Sequence, residues 1–378
     1  MRKFILISIF ALLLFTACTA VPDNSSLPSP TSFTDTESLA PDTAYRPLNF
    51  AAPVGMWFPY MYYEDYLAGK SEEEFRSAVR ERYSAAKAQG VNTVYLHVRP
   101  NGDAYYDSRF FPKGSLWSGE YDALSVMLDE AHSLGLSAHA WINPLRLQTP
   151  EQMDTVSSEF RTKQWYEAKN GMVKEVSGRL WLDPSYAEVR ELIEDGVREI
   201  AENYDIDGIH IDDYFYPTTD TAFDAYEFEQ SGASDLAQWR TDNINALVKS
   251  IYTAVKGVDD RLLFGISPQG NIDSDYSTQY ADVRLWAGTT GYCDYIVPQL
   301  YFGFKNECCP FAETLAEWES ITGGDVTLVI GLAPYKLGKV DKWAGEGGQQ
   351  EWIDDPGIIE KQIEAINASS ADGYALYY

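Results

Sequence analysis

The chain has 378 residues, 45% of them hydrophobic, which is enough for a large core in one big domain or two ordinary ones. Its formal charge is −28, and no cluster of Lys and Arg occurs after the first three residues, so a nucleic-acid surface is excluded and an acidic, solubilising surface is the plain reading. Cys18, Cys293, Cys308 and Cys309 form no disulfide framework and offer no metal-ligand spacing.

Arg2 and Lys3 precede an apolar run from Phe4 to Phe15, and Thr16-Ala17 then lead into Cys18. This resembles a bacterial lipoprotein leader, with Cys18 as the lipidated residue, and the run is too short for a comfortable membrane span. The expectation is an envelope protein anchored on the outer side of the cytoplasmic membrane or in the outer membrane. Residues 19–48 are rich in Ser, Thr, Pro and Asp without apolar period, and read as a flexible tether. The folded part is expected over 49–378.

From there one unit repeats. Val54 to Tyr60 is a strand, and Glu72 to Gln89 a helix with Phe75, Val79, Tyr83 and Ala86 at helical spacing, ended by Gly90. Val91 to Pro100 is the second strand, Tyr121 to Leu134 the second helix, and Ser137 to Pro144 the third strand. A long insertion runs to about Leu182, after which Asp183-Pro184, with Ser185 and Glu188 as a capping box, should start the third helix. Tyr204 to Pro217 holds the fourth strand, and Ser234 to Lys256 is a long helix. Strands follow at Leu262 to Gln269, Asp294 to Phe302, Thr327 to Tyr335 and Gly373 to Tyr378, with helices near Gln279 to Ala287, Phe311 to Ile321 and Gly357 to Ala368. Eight strands spaced for right-handed crossovers describe an α/β fold, a (β/α)8 TIM barrel lacking its last helix at the C-terminus.

Alternation sorts the strands. In the fourth, Ile209 and Ile211 share one face while His210, Asp212 and Tyr214 share the other. The second opposes Val94, Leu96 and Val98 to Tyr95, His97 and Arg99, and the third opposes Ala138, Ala140 and Ile142 to His139, Trp141 and Asn143. The fifth turns Gly265, Ser267 and Gln269 inward, and the sixth Tyr295, Val297, Gln299 and Tyr301. The greasy faces suit the helix layer. So many polar side chains converging on the C-terminal ends of strands would be costly without a ligand, and imply a pocket there, with Trp57, Trp141, Tyr214 and Tyr301 as flat faces on which sugar rings stack. The loops after the second and third strands add Asp103 and Arg146.

The runs VRPNGDAYY, EAHSLGLSAHAWINPLR, YDIDGIHIDDYFYP, FGISPQG and DYIVPQLYF, in this order, resemble the family-10-like glycosyl hydrolases, bacterial lipoproteins, over roughly residues 50 to 378. The resemblance implies a barrel glycosidase acting on an extracellular or cell-wall glycan, and no cofactor is expected. Glycoside hydrolysis uses two carboxyl groups, and Asp212 and Asp213 are the candidates, with Asp103, Asp273 and Asp275 as other choices for the second. Arg99, Asp103, His139, Trp141, Asn143, Arg146, His210, Tyr214, Gln269, Gln299 and Tyr301 are the candidate substrate-binding residues. Two alternatives stand beside this reading: a metal-dependent hydrolase built on His97, His139, His210 and Asp212, or a non-catalytic glycan-binding lipoprotein.

Overall fold

A computed structural model describes residue 50 and residues 52–378. The leader expected at 1–18, with Cys18, and the tether expected at 19–48 lie outside the described residues. In chain order the strands are β1 (Val54–Phe58), β2 (Thr93–Arg99), β3 (Ser137–Ile142), β4 (Val173–Val176), β5 (Arg179–Leu182), β6 (Gly208–Ile211), β7 (Leu263–Ile266), β8 (Tyr295–Ile296), β9 (Thr327–Leu332) and β10 (Gly373–Leu376). Eight of them close a parallel barrel in the order β1-β10-β9-β8-β7-β6-β3-β2, and β4 pairs with β5 as a separate antiparallel hairpin. The expected (β/α)8 architecture is formed. Among the described residues no helix follows β10, and none is long and apolar enough to cross a membrane.

The helices form for the reasons their spacing gives. In Glu72–Ala88 the buried residues are Phe75, Val79, Tyr83 and Ala86, Ser71 and Glu74 make a capping box at its start, and Gly90 takes φ +89 just past its end. Three local expectations are corrected. The helix after the hairpin spans Ala187–Asn203 without a side-chain cap, because Asp183 is drawn inward, pairing with the Lys174 ammonium at 2.9 Å while accepting the Ser185 N–H. The helix expected at 279–287 is two, Ile272–Gln279 and Val283–Gly288, separated at Tyr280, which adopts the left-handed conformation at φ +54. The sixth barrel strand is regular only over Tyr295–Ile296: Pro298 has no N–H to give, and pairing resumes as single bridges from Gln299 to Gln269 and Gly331.

Inside the barrel the alternation holds with one exception. Trp57, Tyr95, Trp141, Tyr295, Val297, Val329 and Ala375 form an interior cluster separate from the aliphatic layer beneath the helices. Gly265 makes room for it, since a Cβ there would sit 1.9 Å from the Tyr295 ring. The exception is in β2. Its pairing with β3 runs His97↔Trp141 and then Arg99↔Ile142, so Val98 is an extra residue, and the bulge throws Arg99 onto the outer face.

Five of the interior polar groups satisfy one another in a single line, while the buried Tyr95 hydroxyl stands outside it without a partner. The Trp57 indole N–H, which can only donate, reaches His210 Nε2 at 3.1 Å. Burial lowers both His210 and His139 well into the neutral form, so His210 Nδ1 carries a proton and gives it to Tyr295 Oη at 3.1 Å. Tyr295 then donates to His139 Nδ1 at 2.7 Å, and His139 Nε2 to Ser137 Oγ at 3.2 Å. These tautomers follow from the network. Tyr295→Phe would strand an imidazole N–H and an imidazole acceptor, and is expected to cost roughly 2–5 kcal/mol in chemical denaturation. A loss below about 0.5 kcal/mol, within the range of a neutral surface change, would mean that this line of bonds is not formed.

Candidate active site

Above the phenol–imidazole layer a cleft of about 330 Å³ opens at the C-terminal ends of the strands. Trp57 from β1, His97 from β2 and Trp141 from β3 form its lower wall, and Asp212, Asp213 and Tyr214 enter from the loop after β6. Asp212 points inward by the alternation that directs His210. Asp213 also lines the cleft because β6 ends at Ile211 and the pleat no longer governs its direction. The far side carries Gln299, Tyr301, Tyr335 and Tyr377, with Tyr301 and Tyr377 stacked at 6.1 Å. Arg146 comes from the loop after β3, bridged to Trp181 of the β4–β5 hairpin, with its guanidinium 4.5 Å from the Tyr214 ring centre.

The two carboxyls sit in unequal surroundings. Burial raises Asp212 well above the ordinary carboxylate range, the charge of Asp213 raises it further, and Arg146 and the Trp141 side chain act against them. Asp213 is raised chiefly by burial, opposed by a hydrogen bond from Gln299 and by Arg146. Gln299 is itself held by donation to the Ser267 carbonyl at 3.1 Å. His97 stacks face to face on Trp141 at 3.6 Å and is kept neutral by burial and by Arg146. The loop carrying the carboxyls is anchored further along, where buried Asp224 accepts from Arg240 Nε at 2.8 Å and from the Tyr216 hydroxyl. Arg240 also holds the Asp220 carbonyl at 2.8 Å.

Of the residues singled out from the sequence, Trp57, His97, Trp141, Arg146, Asp212, Asp213, Tyr214, Gln299 and Tyr301 line this cleft. The others do not. His139 and His210 point into the barrel but lie a layer below, buried and engaged with Tyr295. Arg99 lies on the helical side, its guanidinium 4.3 Å from the Phe111 ring centre and close against Gly196. Asn143 is buried and donates to the Pro100 carbonyl at 2.9 Å, tying the ends of β2 and β3 together. Gln269 lines an adjoining cleft of about 530 Å³ that shares Gln299 and Tyr301 with the first. Asp103 lines another, of about 520 Å³, which shares Tyr60.

Asp275 is buried, accepting the Gln269 N–H at 3.2 Å, and Asp273 is exposed. Tyr60, Met61, Tyr335 and Tyr377 were not anticipated as site residues, although Tyr335 and Tyr377 stand just past β9 and β10, where the same alternation would have found them. His97 lines the cleft too, apart from the other inward imidazoles. Among the described residues no three of His, Cys, Asp or Glu meet as metal ligands, so the imidazoles do not form the metal site that the alternative required.

Residues 64–347 match the family Glycosyl hydrolase-like 10. The chain belongs to that family. Glycosyl hydrolase-like 10 membership agrees with two curated relatives: Glycosyl hydrolase DigH of Escherichia coli O6:H1 is 29% identical over 328 residues, covering 78% of this chain and 73% of that protein. Glycosyl hydrolase YngK of Bacillus subtilis strain 168 is 31% identical over 299 residues, covering 71% and 58%. Among solved structures the PgaB (BpsB) glycoside hydrolase domain from Bordetella bronchiseptica superposes with a TM-score of 0.57 at 13% identity, covering 87% of this chain and 93% of its own, a likeness of fold.

Asp103 provides a pH test of the adjoining cleft. Burial lifts its carboxyl to about 6 from the ordinary 3.8. A carboxyl raised in the folded state supports folding while protonated, and that support is lost as pH rises through the folded value. Asp103→Asn keeps an acceptor for the Asn101 N–H, bonded at 3.0 Å. Its Tm relative to wild type should therefore climb between about pH 4 and pH 6 and level off above, a span worth on the order of 2–3 kcal/mol. A difference that stays flat across that range would show an ordinary, solvated carboxyl.

Proposed function

We propose that this chain hydrolyses glycosidic bonds of an extracellular or cell-wall glycan, with Asp212 as the general acid and Asp213 as its anionic partner. The observation that carries the reading is the pair itself: two adjacent carboxyls in one cleft, Asp212 buried and Asp213 half-buried, both raised by burial. Glycoside hydrolysis needs that inequality, since one carboxyl must deliver a proton to the leaving oxygen while the other opposes the positive charge growing at the anomeric carbon. Asp212, the more deeply buried, holds the proton. Asp213, with Gln299 and Arg146 favouring its anion, is the negative partner. Trp141, Tyr214 and Tyr301 offer flat faces to the sugar ring, and Arg146, standing where Arg99 was expected to serve, offers donors to hydroxyls or an acidic substituent.

Family membership and the relatives' designation as glycosyl hydrolases support the reaction class. The envelope location rests on the leader pattern through Cys18, which would tether the barrel on the outer side of a bacterial membrane facing the glycan.

Asp212→Asn and Asp213→Asn are each expected to lower kcat/KM on soluble wall glycan or aryl glycosides by about 10²–10⁴-fold with the fold intact. The rate should rise with pH as Asp213 ionises and fall as Asp212 loses its proton. Both limbs should lie above the ordinary carboxylate value of 3.8, because burial raises both groups, and they belong to the pair jointly. Wild-type turnover by either variant would remove the assignment.

A further inference from the structure

The carboxylate cleft does not end at Tyr301. Gln299 and Tyr301 also line the adjoining cleft of about 530 Å³, whose walls carry Asn271, Ser274 and Phe302 and whose outer edge is Trp343. Trp343 is 89% exposed, and among the chain's ten tryptophans it is the exposed one, the others being buried or half-buried. Leaving an indole in water forgoes the largest burial gain any side chain offers.

Floppiness does not account for it, because the segment that presents the ring is pinned. Buried Asp341 accepts the Trp343 N–H at 3.2 Å and the Lys336 ammonium at 2.9 Å. Lys336 also donates to the Tyr301 carbonyl at 2.7 Å, so the Trp343 segment is tied to a wall of the carboxylate cleft. On the other side Glu307 N–H bonds the Ala344 carbonyl at 2.9 Å, and its carboxylate takes the Gly347 N–H at 2.8 Å. Gly345, at φ +76, passes so close to Glu307 that a Cβ would meet its carboxyl at 2.3 Å. The ring is held out on a fixed support.

We propose that this adjoining cleft is a distal sugar-binding subsite with Trp343 as its stacking platform. It takes a pyranose unit of the same glycan chain whose scissile linkage lies between Asp212 and Asp213. A sugar ring has an apolar face for the indole and a hydroxyl edge for the amide and hydroxyl groups of Gln269, Asn271 and Ser274. The shared wall at Gln299 and Tyr301 gives the chain a continuous path between the two clefts. The proposal rests on the glycosidase reading, and it makes Trp343 a determinant of chain-length preference without a part in the bond-breaking step.

The test compares wild type, Trp343→Ala and Trp343→Phe as full chains. With soluble cell-wall glycan strands, Trp343→Ala should raise KM about tenfold at nearly constant kcat, and Trp343→Phe should recover most of the loss. On an aryl monoglycoside, which fills the carboxylate cleft alone, the three should be alike. Equal KM on the strands, or equal losses on both substrates, would overturn the subsite. Electrophoresis through a gel containing the strands reads it independently of turnover: wild type should be retarded and Trp343→Ala should run freely, while equal mobility overturns the proposal. Retardation without turnover by wild type would refute the glycosidase reading and leave the subsite standing.

Discussion

A closed barrel excludes water from its middle, so polar groups that point inward at mid-height must satisfy one another. Here five of them do so along one line, from the Trp57 indole through His210, the Tyr295 hydroxyl and His139 to Ser137, and the Tyr95 hydroxyl is left outside it. With both imidazoles neutral the line has a single consistent direction of donation, and no charge is stranded in the core. This layer is the floor on which the site stands. Because the floor is dry, whatever lies directly above it is hydrated from one side at most.

That asymmetry separates the two carboxyls. Asp212 continues the inward alternation of β6 and sits against Trp141 and the ring layer, so it meets the full cost of burial and the repulsion of its neighbour. Asp213 belongs to the loop, where Gln299 and Arg146 favour its anion. A difference of one residue along the chain thus becomes a difference of electrostatic surroundings. The aromatic rings around the pair exclude water, which strengthens every charge interaction within the cleft, and they supply the flat faces a pyranose needs. The clefts on either side share Tyr60 with one edge of the mouth and Gln299 and Tyr301 with the other, so each adjoins the carboxylate cleft.

The barrel was legible because its strands separate apolar from polar positions so cleanly, and because capping residues and glycines punctuate the helices between them. The same alternation located Trp141, Asp212, Gln299 and Tyr301. It could not report depth: His139 and His210 face inward as expected, yet sit a layer too low to meet a ligand, since period two says which side a residue takes and nothing of its height. It also could not foresee the bulge at Val98, whose one extra residue sends Arg99 outward, leaving Arg146 as the guanidinium at the cleft. Asp183 shows a further limit, because a residue with every local mark of a helix cap was claimed by a lysine nine positions before it in the chain. Trp343 lies in a loop without periodicity, and nothing short of the hydrogen bonds around Asp341 and Glu307 would show that its exposure is enforced.

The central claim is that the barrel mouth holds Asp212 protonated beside an ionised Asp213. Carbon-13 titration of the aspartate carboxyls, in wild type and in Asp213→Asn, measures it directly. The Asp212 midpoint should lie well above the ordinary carboxylate value of 3.8 and should fall when its neighbour's charge is removed. An Asp212 carboxyl that titrates at the ordinary value, or one indifferent to Asp213→Asn, would contradict the account.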